Sequence, residues 1–193
     1  MNKILILTLF LISTTTIADT KIGVMGSILW NTPQNDEIDD IPGTEDESQS
    51  SFGIGMRALV GLSDQLFLRT GAGLIQKKFR YNFEAAGFQG HNEYSFTYIN
   101  IPATLYIKAS PQFGIFGGTA LQAKMDDNCS GSVAGAKCQV RDDNSLVLPA
   151  ILGFDVAFTD FLSMELSYEF GIMETLKDTK VSSAVASLIY NFQ

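Results

Sequence analysis

The sequence predicts an all-β chain closed into an eight-stranded antiparallel up-and-down transmembrane β-barrel. Three observations carry that expectation: apolar runs of period two recur along the chain, several runs are long, and the connections alternate between long and short. Tilted membrane strands need about 9–11 residues, whereas soluble strands commonly have about 5–6. No stretch supplies the roughly 20 consecutive apolar residues of a membrane helix. A barrel needs no such stretch, because only alternate strand residues face lipid.

The chain opens with a segment outside this pattern. Lys3 precedes the short apolar run Ile4–Ile12, and Thr16-Ile17-Ala18 offers small residues for cleavage. This three-part order predicts a signal peptide over 1–18 and a barrel domain over 19–193.

The first run, Thr20–Trp30, places Ile22, Val24, Gly26, Ile28 and Trp30 on one face. Phe52–Leu62 groups Phe52, Ile54, Met56, Ala58, Val60 and Leu62 against Gly53, Gly55, Arg57 and Gly61. Leu66–Leu74 sets its leucines against Arg69, Gly71 and Gly73. Ile99–Ile107 and the glycine-rich Gln112–Ala123 follow. Leu146–Phe158 opposes its apolar row with Asp155, and Leu162–Ile172 opposes its row with Ser163, Glu165, Ser167 and Glu169. Val181–Phe192 completes the set. Phe79, Tyr81 and Phe83 do not continue the face of Leu74, nor do Tyr94, Phe96 and Tyr98 share the face of Ile99. Either a β-bulge shifts each register, or these ends rise above the membrane where both faces meet water.

Residues 31–50, 84–92, 125–144 and 173–180 read as long polar connections, and 63–65, 109–111 and 159–161 as tight turns. Long external loops and short periplasmic turns are the pattern of an outer-membrane barrel. A lipocalin-like barrel or a secreted β-sandwich is the soluble alternative; strand length and alternating connections favour the membrane.

The segment Tyr98-Ile99-Asn100-Ile101-Pro102-Ala103-Thr104-Leu105-Tyr106-Ile107-Lys108 resembles the bacterial outer-membrane barrel families that include PorT-like and OmpA/OmpX-like proteins. The closing strand, Leu188 to Phe192, resembles the C-terminal signal read by the barrel assembly machinery, departing from it in that Gln193 follows Phe192. The resemblance implies the outer membrane of a Gram-negative bacterium, with outer-membrane lipid, lipopolysaccharide and the assembly machinery as partners. It implies no particular activity, since one fold hosts many functions.

Candidate sites are few. Arg57, Arg69, Asp155, Glu165 and Glu169 lie on small-residue faces and point into a narrow lumen. They read as a charge-paired plug, with Arg57 facing Glu165 and Arg69 facing Glu169, in preference to a gate or selectivity filter. The acidic stretch 36–47 lacks the spacing of a calcium loop and reads as a solvated surface loop. Cys129 and Cys138 form the only cysteine pair and predict a loop disulfide in an oxidising compartment. His91, near Glu93 and Ser95, is the only histidine and a weak hydrolase candidate. The net charge of −8 disfavours nucleic acid. The expectation is a non-enzymatic structural or surface-interaction barrel without cofactor or metal, the surface ligand unidentified. A small-solute channel is the first alternative and a lipid-modifying enzyme the second.

Overall fold

The computed structural model describes residues 20–35, 43–85, 88–131, 138, 140 and 143–192. The signal-peptide segment, and Asp36, Glu37, Asp39 and Asp40 of the acidic stretch, lie outside the described residues.

The strands are β1 (Thr20–Gln34), β2 (Thr44–Gly61), β3 (Leu66–Ala85), β4 (Phe88–Lys108), β5 (Phe113–Gly131), β6 (Leu146–Val147), β7 (Ala150–Ala157), β8 (Leu162–Phe170), β9 (Glu174–Leu176) and β10 (Thr179–Phe192). Neighbours pair antiparallel in the order β1-β2-β3-β4-β5-β7-β8-β10, and β1 pairs β10 from Ile22 opposite Phe192 to Gln34 opposite Lys180. The ring therefore closes with eight staves and no open edge around its circumference. The β6 segment prolongs the line of β7: Gln122 opposes Val147 and Thr119 opposes Ala150 in one continuous register. The break falls at Pro149, which has no N–H for the ladder; its carbonyl instead accepts from Thr119 Oγ1 at 2.7 Å. The short β9 forms a hairpin with β10, and Asp178 in its turn takes the left-handed φ of 58°, a conformation Asp tolerates.

The predicted apolar rows all face outward. Phe52, Ile54, Ile99, Leu105, Leu152 and Leu188 are each exposed, whereas their strand neighbours of opposite parity are buried or, at Gly55 and Gly153, half-buried. This is an inverted barrel, with lipid taking the place of an apolar core. Aromatic rings gather at both ends of the outer band. Phe161 stacks on Tyr190 at the turn end, and Tyr168 meets Phe170 edge-on at the other.

Three of the expected long loops are mostly strand. Only residues 86–87 separate β3 from β4, where 84–92 was expected to be a loop, and β5 continues to Gly131. Glu45, Asp46 and Glu47 belong to β2 rather than to a loop, and residues 174–176 and 179–180 pair as a hairpin. With 20 residues, β3 spans roughly 66 Å at about 3.3 Å per residue. Tilted by about 45°, it rises about 47 Å, some 20 Å more than an apolar band about 25 Å tall. The wall thus stands well clear of the bilayer.

That height explains the two breaks in the aliphatic pattern. The β3–β4 register runs unshifted from Gly73 opposite Asn100 to Ala85 opposite Phe88, so no bulge separates Leu74 from Phe79. Parity is kept, and Ile75, Phe79 and Tyr81 point inward with Arg69. Phe96 and Tyr98 point inward with Asn100. Above the membrane the outer face meets water and turns polar, so the apolar side chains move to the inner face. Register shifts do occur elsewhere, in β2 between Ser48 and Gly53 against β3, and between β4 and β5 at Thr97/Tyr98.

Candidate functional site: the lumen and the wall above the membrane

The lumen is filled in tiers. The lowest tier joins four charges from four strands. Arg57 on β2 donates from Nη1 to Asp155 Oδ2 at 2.9 Å and to Glu165 Oε1 at 2.8 Å. Its Nη2 donates to Asn191 Oδ1 at 2.7 Å. Arg69 on β3 donates from Nε to Glu165 Oε1 at 2.9 Å, and its Nη2 reaches the other oxygen of the same carboxylate. Glu165 is the hub, and only 1% of it is exposed. Two glycines make room for this tier. A Cβ on Gly114 would strike the Tyr106 hydroxyl, which donates to Asp155 Oδ1 at 3.3 Å. A Cβ on Gly153 would strike the Phe116 ring, over which the Arg69 guanidinium sits at 4.3 Å, a cation–π contact.

The upper tier is separate. Glu169 does not pair with Arg69; its Oε2 lies 3.1 Å from Lys77 Nζ and accepts from Gln122 Nε2 at 3.1 Å. The expected Arg69–Glu169 pair is thus replaced by Arg69–Glu165 and Lys77–Glu169, because strand tilt brings residues of unequal height along the chain to one level. The Lys77 contact is an ion pair by distance without hydrogen-bond alignment. Gln122 also donates to Asn100 Oδ1 at 3.2 Å. Lys77 was missed from sequence because the third run was ended at Leu74; its parity, even-numbered steps from Arg69, Gly71 and Gly73, marks it as inward. A cavity of about 30 Å³ touching Arg69, Asn100 and Glu169 separates the tiers. A recess of about 80 Å³ lies below the lower tier at the turn end, between Arg57, Lys108 and Asp155.

Above both tiers sits an apolar cap of Leu29, Ile75, Phe79, Tyr81, Phe96, Tyr98, Val147 and Val181. Phe79 stacks on Phe96 at 5.9 Å and on Tyr94 at 5.3 Å. The cap closes with Tyr81 Oη 3.0 Å from Thr179 Oγ1, which also accepts from Asn35 Nδ2 at 2.8 Å.

The outer face of the same region carries polar cross-strand pairs. Arg80 donates to Glu93 Oε2 at 2.8 Å and to Glu47 Oε2 at 3.3 Å. The hydrogen bond from Asn82 and the charge of Arg80 hold the Glu47 carboxyl below its ordinary value, against a smaller opposing effect of burial. The bond to Glu93 raises the Arg80 guanidinium further. His91 lies on β4 opposite Asn82, not in a loop. Four residues along a strand separate it from Ser95 by about 13 Å, beyond hydrogen-bond reach. Ser95 Oγ accepts from Gln76 Nε2 at 2.9 Å, and Glu93 is engaged by Arg80. Cys129, near the end of β5, is bonded to Cys138. Among the described residues no group of three or more His, Cys, Asp or Glu side chains could hold a metal ion, and no helix is long and apolar enough to cross a membrane.

The description "outer membrane protein beta-barrel domain" matches residues 18–177. The chain belongs to this outer-membrane barrel family. Among solved structures, it is similar to neisserial surface protein A, with TM-score 0.53 and 12% identity over 91% of this chain and all of that one. It is likewise similar to Ail, the attachment invasion locus protein of Yersinia pestis, with TM-score 0.50 and 12% identity over the same shares. At that identity the likeness is one of fold. No curated protein matches by sequence. As a member of the family, the barrel sits in an outer membrane, crossing it with strands.

Proposed function

We propose that this outer-membrane barrel is a closed, non-enzymatic scaffold that presents a rigid extracellular wall for surface interactions. The observation that carries the reading is the stacking of two ion-paired tiers beneath an apolar cap, inside a wall that outreaches the membrane. A lumen filled by side chains serves strength rather than passage. The protruding wall is sheet with its own apolar interior, so its outer face holds a fixed arrangement of polar groups. Ail is described as an attachment invasion locus protein and has been solved with a heparin analogue, sucrose octasulfate. This chain, at net charge −8, suits a cationic or hydrogen-bonding partner better than a polyanion. Export by the leader 1–18 and insertion by the barrel assembly machinery complete the reading.

Two measurements test it. The unmodified barrel in a planar bilayer should show no steady conductance; a large, constitutive one would establish the channel alternative. Intact cells displaying the barrel should capture a surface partner, and His91→Ala should leave both that capture and membrane lipid composition unchanged. Loss of a lipid-modifying activity in His91→Ala would instead support the enzyme.

A further inference from the structure

The recess at the turn end of the lumen is positive, in a chain whose net charge is −8. Its floor is the lower tier, where the buried Arg57 guanidinium lies beside Asp155. Those groups are already satisfied: Arg57 is held by Asp155, Glu165 and Asn191, and the four charges of the tier cancel. Leu59 and Phe67, both buried, give the recess apolar sides. The rim adds three more charges, Lys21 on β1, Lys108 on β4 and Asp160 in the turn between β7 and β8. Two positive charges against one negative leave the rim at +1.

Parity aims both lysines inward. Lys21 shares its face with the buried Gly23 and Ser27, and Lys108 shares its face with Thr104 and Tyr106. The residues beside them in sequence, Ile22 and Ile107, are exposed on the lipid side. The register offers neither lysine a partner, since Lys21 opposes Leu59 on β2 and Lys108 opposes Gly114 on β5. Among the described residues neither forms an ion pair with Asp160 or with any other carboxylate. Low-dielectric walls concentrate the field of such charges inside a cleft. The volume is about 80 Å³, and one water needs roughly 10–15 Å³ of such space. The recess therefore has room for about five waters or for one small oxyanion. The tight turns lie on the periplasmic side, so the mouth opens to the periplasm.

We propose that this recess is a binding site for a carboxylate presented from the periplasm. The carboxylate is held between the Lys21 and Lys108 ammonium groups, over the closed lower tier. One negative charge balances the rim, whereas a dianion meets Asp160 uncompensated. Because both lysines face the lumen, the group they bind comes from the aqueous side and not from the membrane. The recess lies at the opposite end of the barrel from the extracellular wall, so this site and the surface reading can fail separately.

The test uses the whole barrel, isotope-labelled in neutral detergent, with amide shifts followed by NMR at constant ionic strength. The probes are acetate, acetyl-dialanine and sulfate. Acetate should give saturable shifts confined to Lys21, Lys108, Asn191 and their neighbours, and should bind more tightly than sulfate. Tighter binding of acetyl-dialanine would assign the site to the end of a peptide, and equal binding to a small free carboxylate; both support it. Lys21→Gln and Lys108→Gln should each weaken acetate about five-fold, as expected for one partly exposed charge pair. Asp160→Asn should improve sulfate binding, and Lys180→Gln, at the other end of the barrel, should change nothing. Shifts that stay linear or spread along the wall, tighter binding of sulfate than acetate, or undiminished binding in both lysine variants would overturn the proposal. The titration of the unmodified barrel needs no substitution, so it decides the matter even if a variant fails to fold.

Discussion

The lower lumen tier gives a prediction that depends on which charges are removed together. It contains Arg57 and Arg69 against Asp155 and Glu165, two positive and two negative charges summing to zero. Glu165→Met leaves a net charge of +1 in a site where the remaining side chains are at most 8% exposed. Removing one member of a buried ion pair costs about 3–5 kcal/mol, because the partner loses compensation. In urea, with a slope of roughly 1–3 kcal/mol per molar, that lowers the unfolding midpoint by at least about 1 M. Adding Arg69→Met restores neutrality and leaves Arg57 bonded to Asp155 at 2.9 Å, so the double mutant should recover most of the loss. Arg57→Met with Glu165→Met should recover less. It strands Arg69 with Asp155, and those two share no bond. The assay is equilibrium urea unfolding of barrels folded into lipid vesicles, comparing all singles and both doubles. Additive losses in the Arg69–Glu165 cycle, or equal recovery by both doubles, would refute the argument. A parallel cycle should couple Lys77 with Glu169 and leave Arg69 and Glu169 independent.

The apolar cap predicts that Phe79→Ala costs about 3–5 kcal/mol and opens the protruding wall to protease while the membrane band stays protected; an unchanged digestion pattern would show that the cap does not hold the wall. The depressed Glu47 carboxyl contributes stability that is present above its unfolded value, near 4.5, and lost as pH falls through its lower folded value. Amide exchange around β2 and β3 above the membrane should therefore quicken below that range in the unmodified barrel, with a weaker pH response in Glu47→Gln. Closing the loop from Cys129 to Cys138 restricts the unfolded chain by about 2–3 kcal/mol, yet the double serine variant should keep its barrel, seen as a retained heat-modifiable gel shift. N-terminal sequencing of exported protein should begin at Asp19; finding Met1 would reject the leader.

The outer-membrane barrel was legible because its signal is local. Alternation along Leu162–Phe170, with Met164 and Leu166 outward and Ser163 and Glu165 inward, follows from the pleat of a single strand. The same parity placed Arg57, Arg69, Asp155, Glu165 and Glu169 inside before any pairing was known. The height of the wall was harder to read. Residues 84–92 look like a loop because both faces carry polar groups, and the eye expects apolar residues on one constant face. The structure shows that the constant quantity is parity, while the chemistry of each face changes with the surrounding medium.

By itself the sequence determined the strand count, the lipid-facing rows, the inward charges and the nearness of Cys129 to Cys138. Each of these is a property of one strand or one loop. Only the tertiary structure decided that Glu165 serves both arginines, that Lys77 takes Glu169, and that Phe79 and Phe96 cap the lumen. Those contacts join strands up to 108 positions apart in the chain, as Arg57 and Glu165 are. Their partners are set by the tilt and stagger of the closed ring, which no single strand encodes.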